Sequence, residues 1–267
     1  MTDTQLTGPV LPADPGLDTE HVSWEDWQRS WDRQQEWYLP DREERFRVML
    51  DVVEAVGGPA PRVLDLACGT GSISRRLLAR LPGASSVGVD LDPALLAIAE
   101  GSFGADPRLT LVTADLRDPG WAAALPAGPF DAVVTATALH WLNSQDLLRL
   151  YRDLTGLLRP GGVFLNADRA RQPDTPLLNA LDQAQQERRQ EQERSEGVLD
   201  WAQWWQAAAA DPRLAAPVAA RSALYRDHKD GELHPAEWHT ARLVEVGFAE
   251  AGVAWRSVSD ALVTAIR

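Results

Sequence analysis

The run Val63 to Gly71, VLDLACGTG, constrains this chain more than any other segment of it. Val63, Leu64 and Leu66 around Asp65 read as a buried strand. Ala67 to Gly71 read as a tight turn, and the following SISRRLL reads as the start of a helix. Gly69 and Gly71 carry no Cβ, so the backbone there is free to take positive φ and to approach a ligand closely. A turn that binds pyrophosphate would carry the spacing G-x-G-x-x-G, with phosphate on the helix N-terminus. Here the turn reads ACGTGS, and the acid just before it repels phosphate. The ligand it suits is polar and partly cationic.

The same design repeats along the chain. SSVGVD is a second strand ending in Asp90, with Leu91 next and Asp92 placed to cap a helix whose first residue is Pro93. Asp90 follows the glycine turn by roughly twenty residues, the position from which an acid grips ribose hydroxyls in doubly wound folds. A third strand, RLTLVTAD, ends in Asp115 and Leu116, and a fourth, FDAVVTA, carries Thr135 and runs into TALHWL. Four strands thus end at one edge with polar residues.

Over most of residues 60 to 168 these features resemble the class I S-adenosylmethionine-dependent methyltransferases, in particular those acting on small molecules. The segment LLRPGGVFLNAD is similar to the family's helix end, Pro-Gly-Gly turn and fifth strand. The resemblance implies a Rossmann-like α/β fold: a doubly wound, seven-stranded, mainly parallel sheet with its last strand antiparallel. It also implies S-adenosylmethionine as cofactor. By this likeness Asp65, Ala67, Cys68, Gly69 and Gly71 surround the methionine part, Asp90 and Leu91 the ribose, and Asp115 and Leu116 the adenine, with Thr135 alongside. Ala67 departs from the family, which has glycine there. The implied activity is methyl transfer to a small-molecule acceptor, with oxygen, as carboxylate or hydroxyl, the preferred atom. Transfer to nitrogen or carbon on the same scaffold remains open, as does cofactor binding without methyl transfer.

Composition agrees with a small acceptor. The net charge is −13, whereas nucleic-acid binding needs a basic stripe that releases counterions. The family's Asn/Asp-Pro-Pro-aromatic motif for base amines is replaced by TALHWL. No apolar run is long enough to span a bilayer and the chain does not open with a basic, then apolar segment, so the expected compartment is the cytoplasm, with no membrane partner. Cys68, the single cysteine, allows no internal disulfide and no thiolate metal site. A monomer or homodimer is expected.

Five regions follow. Residues 1–21 are rich in Pro, Gly, Thr and Asp and read as a mobile arm. Residues 22–58 read as a helical cap: Trp24, Trp27 and Trp31 share one helical face, which reads as core-facing, and Phe46, Met49, Leu50 and Val53 share a face of the next helix. Relatives use such helices to close over the cofactor, which makes Trp37 and Arg42 cofactor candidates and Tyr38 an acceptor candidate, with Arg45 behind. Packing and surface ion pairs are the alternative. Residues 59–168 form the cofactor-binding core. Residues 169–235 read as a helical insertion at the carboxyl edge, with a polar helix from Thr175 and a second, WAQWWQAAAA, capped by Asp200. It is expected to close over the acceptor as a lid, so that deleting it spares cofactor binding. Residues 236–267 supply a helix and two strands that complete the sheet.

Methyl transfer from a sulfonium is an in-line displacement, so positioning and water exclusion come first. His140 and Trp141 follow the fourth strand, where the family presents residues to its acceptor. His140 is the candidate catalytic residue, with base, anchor and structural roles all open, since its ordinary pKa is near 6.5. Trp141 is a candidate acceptor contact. Trp205, beside Trp201 and Trp204, either lines an apolar acceptor pocket or packs. His228, His234 and His239 match no metal spacing, and Trp238 and Trp255 read as packing residues.

Overall fold

The computed structural model describes residues 22–39, 41–171, 174–226 and 231–267. The expected arm, residues 1–21, and His228 lie outside the described residues. Helix α1, Trp24–Tyr38, begins at a reciprocal capping box between Ser23 and Asp26. Helix α2, Arg42–Gly57, leads into strand β1, Arg62–Leu66. Alternation follows: α3, Ser72–Arg80; β2, Ser85–Asp90; α4, Pro93–Phe103; β3, Leu109–Thr113; β4, Phe130–Ala136; α5, Ser144–Leu157; and β5, Leu158–Arg169. Three helices make the insertion: α6, Pro176–Ser195; α7, Trp201–Ala210; and α8, Ala215–Leu224. Helix α9, Ala236–Glu245, precedes β6, Glu250–Arg256, and β7, Asp260–Ile266.

The seven strands form one sheet in the order β3-β2-β1-β4-β5-β7-β6. Pairs among the first five are parallel, and β7 inserts antiparallel between β5 and β6. This is the expected doubly wound α/β sheet with an antiparallel last strand. Its topological switch lies between β1 and β4, where such sheets open a crevice at their carboxyl ends. The third strand is shorter than its sequence implies: it stops at Thr113, so Asp115 lies beyond its end, in a turn closed by the bond from the Asp118 N–H to the Asp115 carbonyl.

Alternating strand residues bury both faces of the sheet, as parallel strands require. Leu64, Val87, Val133 and Phe164 pack under α5 and α9 with Tyr151 and Leu243, while Val63, Ala132, Val134 and Leu165 pack under α2 and α3 with Met49, Val53 and Leu77. A third apolar cluster lies off the sheet. It joins Trp27 and Trp31 of α1, Leu95 and Ile98 of α4, Trp204 of α7 and Val218 of α8. The tryptophan stripe is therefore core-facing, and Trp24 lies on Gly101, where an added Cβ would come within 2.3 Å of its ring. Helix α6 buries none of its residues, in keeping with its polar sequence.

Candidate functional site

The residues that end β1 to β5 open onto one cleft of about 760 Å³. Sheet order sets its layout. Adjacent strands lie about 5 Å apart, so Asp115, Asp90 and Asp65, from β3, β2 and β1, line one side and the loop after β4 and the end of β5 the other.

On the first side the turn after β1 takes left-handed backbone at Ala67, Gly69 and Gly71, with φ of 50°, 56° and 73°. Ala67 thus sits where a glycine carries no strain, the physical content of its departure from the family pattern. The N–H of Gly69 donates to Asp90 Oδ2 at 2.6 Å, and that of Asp92 to Asp90 Oδ1 at 2.8 Å. Asp65 accepts from the N–H and hydroxyl of Ser74, while its Oδ1 is buried without a partner among the described residues. Burial pushes Asp65 up to about 7 and Asp90 up to about 6, each further raised by a neighbouring acid. Two desolvated carboxyls, one with an orphaned oxygen, suit a ligand that brings positive charge and hydroxyl donors. Cys68 is held against Gly88, and burial raises its thiol, so it packs. Asp115 accepts from the backbone and guanidinium of Arg117.

On the second side His140 Nδ1 lies 2.8 Å from Asp168 Oδ1, and the His140 N–H donates to Asp168 Oδ2. Burial opposes ionisation of Asp168, but the hydrogen bond and charge of His140 hold its carboxyl below the ordinary value. A carboxylate on Nδ1 fixes the ring and its tautomer, which leaves Nε2 as the nitrogen able to accept a proton. Trp141, about half exposed at 49%, lies beside it, with ring centroids 5.4 Å apart. Arg169 follows Asp168 on the cleft wall and has no ion-pair partner among the described residues.

The cleft brings together Asp65, Ala67, Cys68, Gly69, Asp90, Leu91, Asp115, Leu116, Arg42, Tyr38, His140 and Trp141. Four sequence candidates lie elsewhere. Gly71 backs onto α4, where an added Cβ would come within 2.4 Å of Phe103, so its role is close packing. Thr135 is fully buried inside β4, and Ala136 to Ala138 reach the cleft in its place. Trp37 turns toward α6, where the Arg194 guanidinium lies 5.5 Å from its ring. Trp205 packs on Trp31, Trp201 and Trp204 under Arg221 and does not line the cleft. Arg42 lines the cleft but is tied to Asp32 at 2.8 Å.

Sequence reasoning missed Asp168, Arg169, Arg221 and Tyr225. Asp168 had a signal: one residue before the last of β5, it is the acid at that strand's carboxyl end, as Asp90 is at that of β2. The insertion residues had none, because only tertiary packing brings α8 to the cleft. The insertion itself divides. Helices α7 and α8 pack on α1 and α4 beside β2, while Gly231 and Glu232 lie on the β4 side: the Glu232 N–H donates to the Leu142 carbonyl. Among the described residues no three His, Cys, Asp or Glu side chains are grouped to hold a metal, and no helix is long and apolar enough to cross a membrane.

Residues 63–162 match the family model described as a methyltransferase domain. A trans-aconitate 2-methyltransferase of Azoarcus sp. (strain BH72) is 37% identical over 136 residues, covering 51% of this chain and 49% of that protein. One of Mycobacterium tuberculosis is 38% identical over 113 residues, covering 42% and 40%. The chain therefore spans half or less of the length of these relatives. Among solved structures, an O-methyltransferase family protein from Burkholderia thailandensis superposes with a TM-score of 0.55 at 20% identity, covering 92% of this chain and 63% of that one. Human N-acetylserotonin methyltransferase, solved with S-adenosylmethionine, gives 0.53 at 16% identity, covering 94% and 60%. At such identities the superpositions show the fold. The match identifies residues 63–162 as a methyltransferase domain, set in a chain whose sheet has the Rossmann-like fold of the superposed structures.

Proposed function

We propose that this chain transfers a methyl group from S-adenosylmethionine to an oxygen of a small organic acid. The observation that carries the reading is the His140–Asp168 pair, on the cleft wall opposite the acids and next to Arg169, which has no ion-pair partner among the described residues. Asp65, Asp90 and Asp115 would hold the cofactor, and the orphaned Asp65 Oδ1 fits a cationic donor. Bound there, the cofactor supplies an electrophilic methyl on a sulfonium, whose sulfur leaves as a neutral thioether. Arg169 would pair with an acceptor carboxylate, a charge-assisted contact that orients it. His140 Nε2, neutral, accepts the proton of an acceptor hydroxyl as the O–CH3 bond forms. Protonated, it donates to a carboxylate that needs no base. Relatives named for trans-aconitate, a carboxylic acid, support an acidic acceptor.

Release of S-adenosylhomocysteine from labelled cofactor, followed with trans-aconitate, a hydroxy acid, a neutral phenol and an amine, tests this. Turnover is expected with the acids, and Arg169→Gln should raise their KM about tenfold while leaving kcat within a few-fold. Turnover with the amine alone would overturn transfer to oxygen. Cofactor binding without turnover of any acceptor would favour a binding protein.

A further inference from the structure

Within the insertion expected to cover the acceptor, α7 and α8 are anchored at the end of the cleft away from His140. Arg221 of α8 lies 2.6 Å from Asp92 Oδ2, and Asp92 is almost fully buried. Through its other oxygen Asp92 caps α4, accepting from Ala94 and Leu95, and its own N–H donates to Asp90. The Arg221 guanidinium is layered among aromatic rings, 3.9 Å from that of Trp205, 4.7 Å from that of Tyr225 and 5.7 Å from that of Trp201. Opening this contact would strand a buried carboxylate, so α8 is a fixed wall of the cleft. One turn further on, Tyr225 lines the same cleft as Asp90, Leu91, Asp115 and Arg117. Burial raises its phenol well above the ordinary value, with Asp90 and Asp92 adding to the rise and Arg221 and Arg117 opposing it. With Arg221 4.7 Å from its ring and 2.6 Å from Asp92, Tyr225 lines the cleft on the β2 side. His140 follows β4 and Asp168 lies in β5, and these strands are on the far side of β1.

We propose that α8 of the insertion forms the nucleoside wall of the cofactor site, with Tyr225 against the adenosine and Arg221 positioning Asp90 through Asp92. This rests on the reading that the chain binds S-adenosylmethionine. The region that departs from the sheet's alternating pattern then governs cofactor affinity, and deleting it removes cofactor binding together with turnover.

Calorimetry with two probes tests it: S-adenosylhomocysteine, and 5′-deoxy-5′-methylthioadenosine, which keeps the nucleoside and lacks the amino-acid end. Tyr225→Ala should weaken both by a similar factor of about 10, the scale of a lost base-aromatic contact, and Tyr225→Phe should stay within about threefold. Tyr225→Leu, which refills the volume without a ring, repeats the test should the alanine variant unfold. Arg221→Met should weaken both probes about tenfold in folded protein, and Arg221→Lys should recover most of the loss. A purely structural arginine would lower the melting temperature and leave the affinity of the folded fraction unchanged. Failure of the wild type to bind either probe overturns the cofactor reading itself. Wild-type binding with no change in the Tyr225 variants overturns the proposal, as does a loss confined to S-adenosylhomocysteine, which would assign Tyr225 to the amino-acid end.

Discussion

The two sides of the cleft share one sheet edge and are assembled differently. On the β3-β2-β1 side the lining acids sit at the ends of their own strands or just beyond, and the glycine turn is braced by the nearest of them through the Gly69 N–H. On the β4-β5 side the working pair joins residues 28 positions apart, and residues near Gly231 close the rim from outside the core. The first side is thus set by contiguous motifs, and the second by contacts between distant segments.

The largest effect expected from breaking this contrast falls on the second side. Asp168→Asn keeps the size but exchanges the carboxylate for an amide that supports the wrong His140 tautomer. For a hydroxyl acceptor kcat should fall about 10²-fold or more, as in His140→Gln. Because the two act as a unit, the double variant should be little worse than either single one in steady-state kinetics across pH. With a carboxylate acceptor the same variants should act chiefly on KM.

On the first side, Asp90→Ala removes the acceptors of two backbone N–H groups together with the proposed contact to ribose, so cofactor affinity should fall by about 1.5–3 kcal/mol. Turnover at saturating cofactor should change much less. Equal losses in binding and kcat would erase the distinction between the two sides.

A smaller effect distinguishes the sides by pH. Asp65 and Asp90 rise from 3.8 to about 7 and about 6, so between those values the folded, ligand-free chain holds more protons than the unfolded one. Stability contributed by the protonated carboxyls is present below about 4 and is lost as pH rises through 6 to 7. Asp168 shifts the opposite way: its contribution is present above the ordinary carboxylate range and is lost on acidification. Thermal melts should therefore show Asp65→Asn flattening the decline between pH 5 and 7.5, and cofactor affinity should grow over the same range as the acids ionise. A slope unchanged by the substitution would remove Asp65 as its source.

The smallest effect is at Ala67. Its φ of 50° is strained for a residue with a Cβ, so Ala67→Gly should stabilise the ligand-free fold by about 1 kcal/mol at most, after the added flexibility of the unfolded chain is set against the relief. A melting point that falls would show that the Cβ packs well enough to offset the strain.

What could be read from residues alone follows the range of the interactions. Asp92 and Asp200 cap their helices as their sequences imply, because a cap is decided within four residues. The strand-end acids were legible for the same reason, each lying beside the apolar run that ends in it. Trp37 and Thr135 lie away from the cleft, and Trp205 takes the packing alternative, because a helical face or a strand position has two sides and which one meets the cleft depends on partners far along the chain.

The sequence by itself determined the alternation of strand and helix, the glycine turn and the row of acids, since apolar periodicity and backbone freedom act over neighbouring residues. Tertiary structure alone decided that Asp168 holds His140, that Arg169 is left without an ion-pair partner among the described residues, and that α8 leans on Asp92. Burial of tryptophans from α1 and α7 against α4 draws the insertion to the β2 end of the sheet, and no local pattern encodes where that apolar surface will find its match.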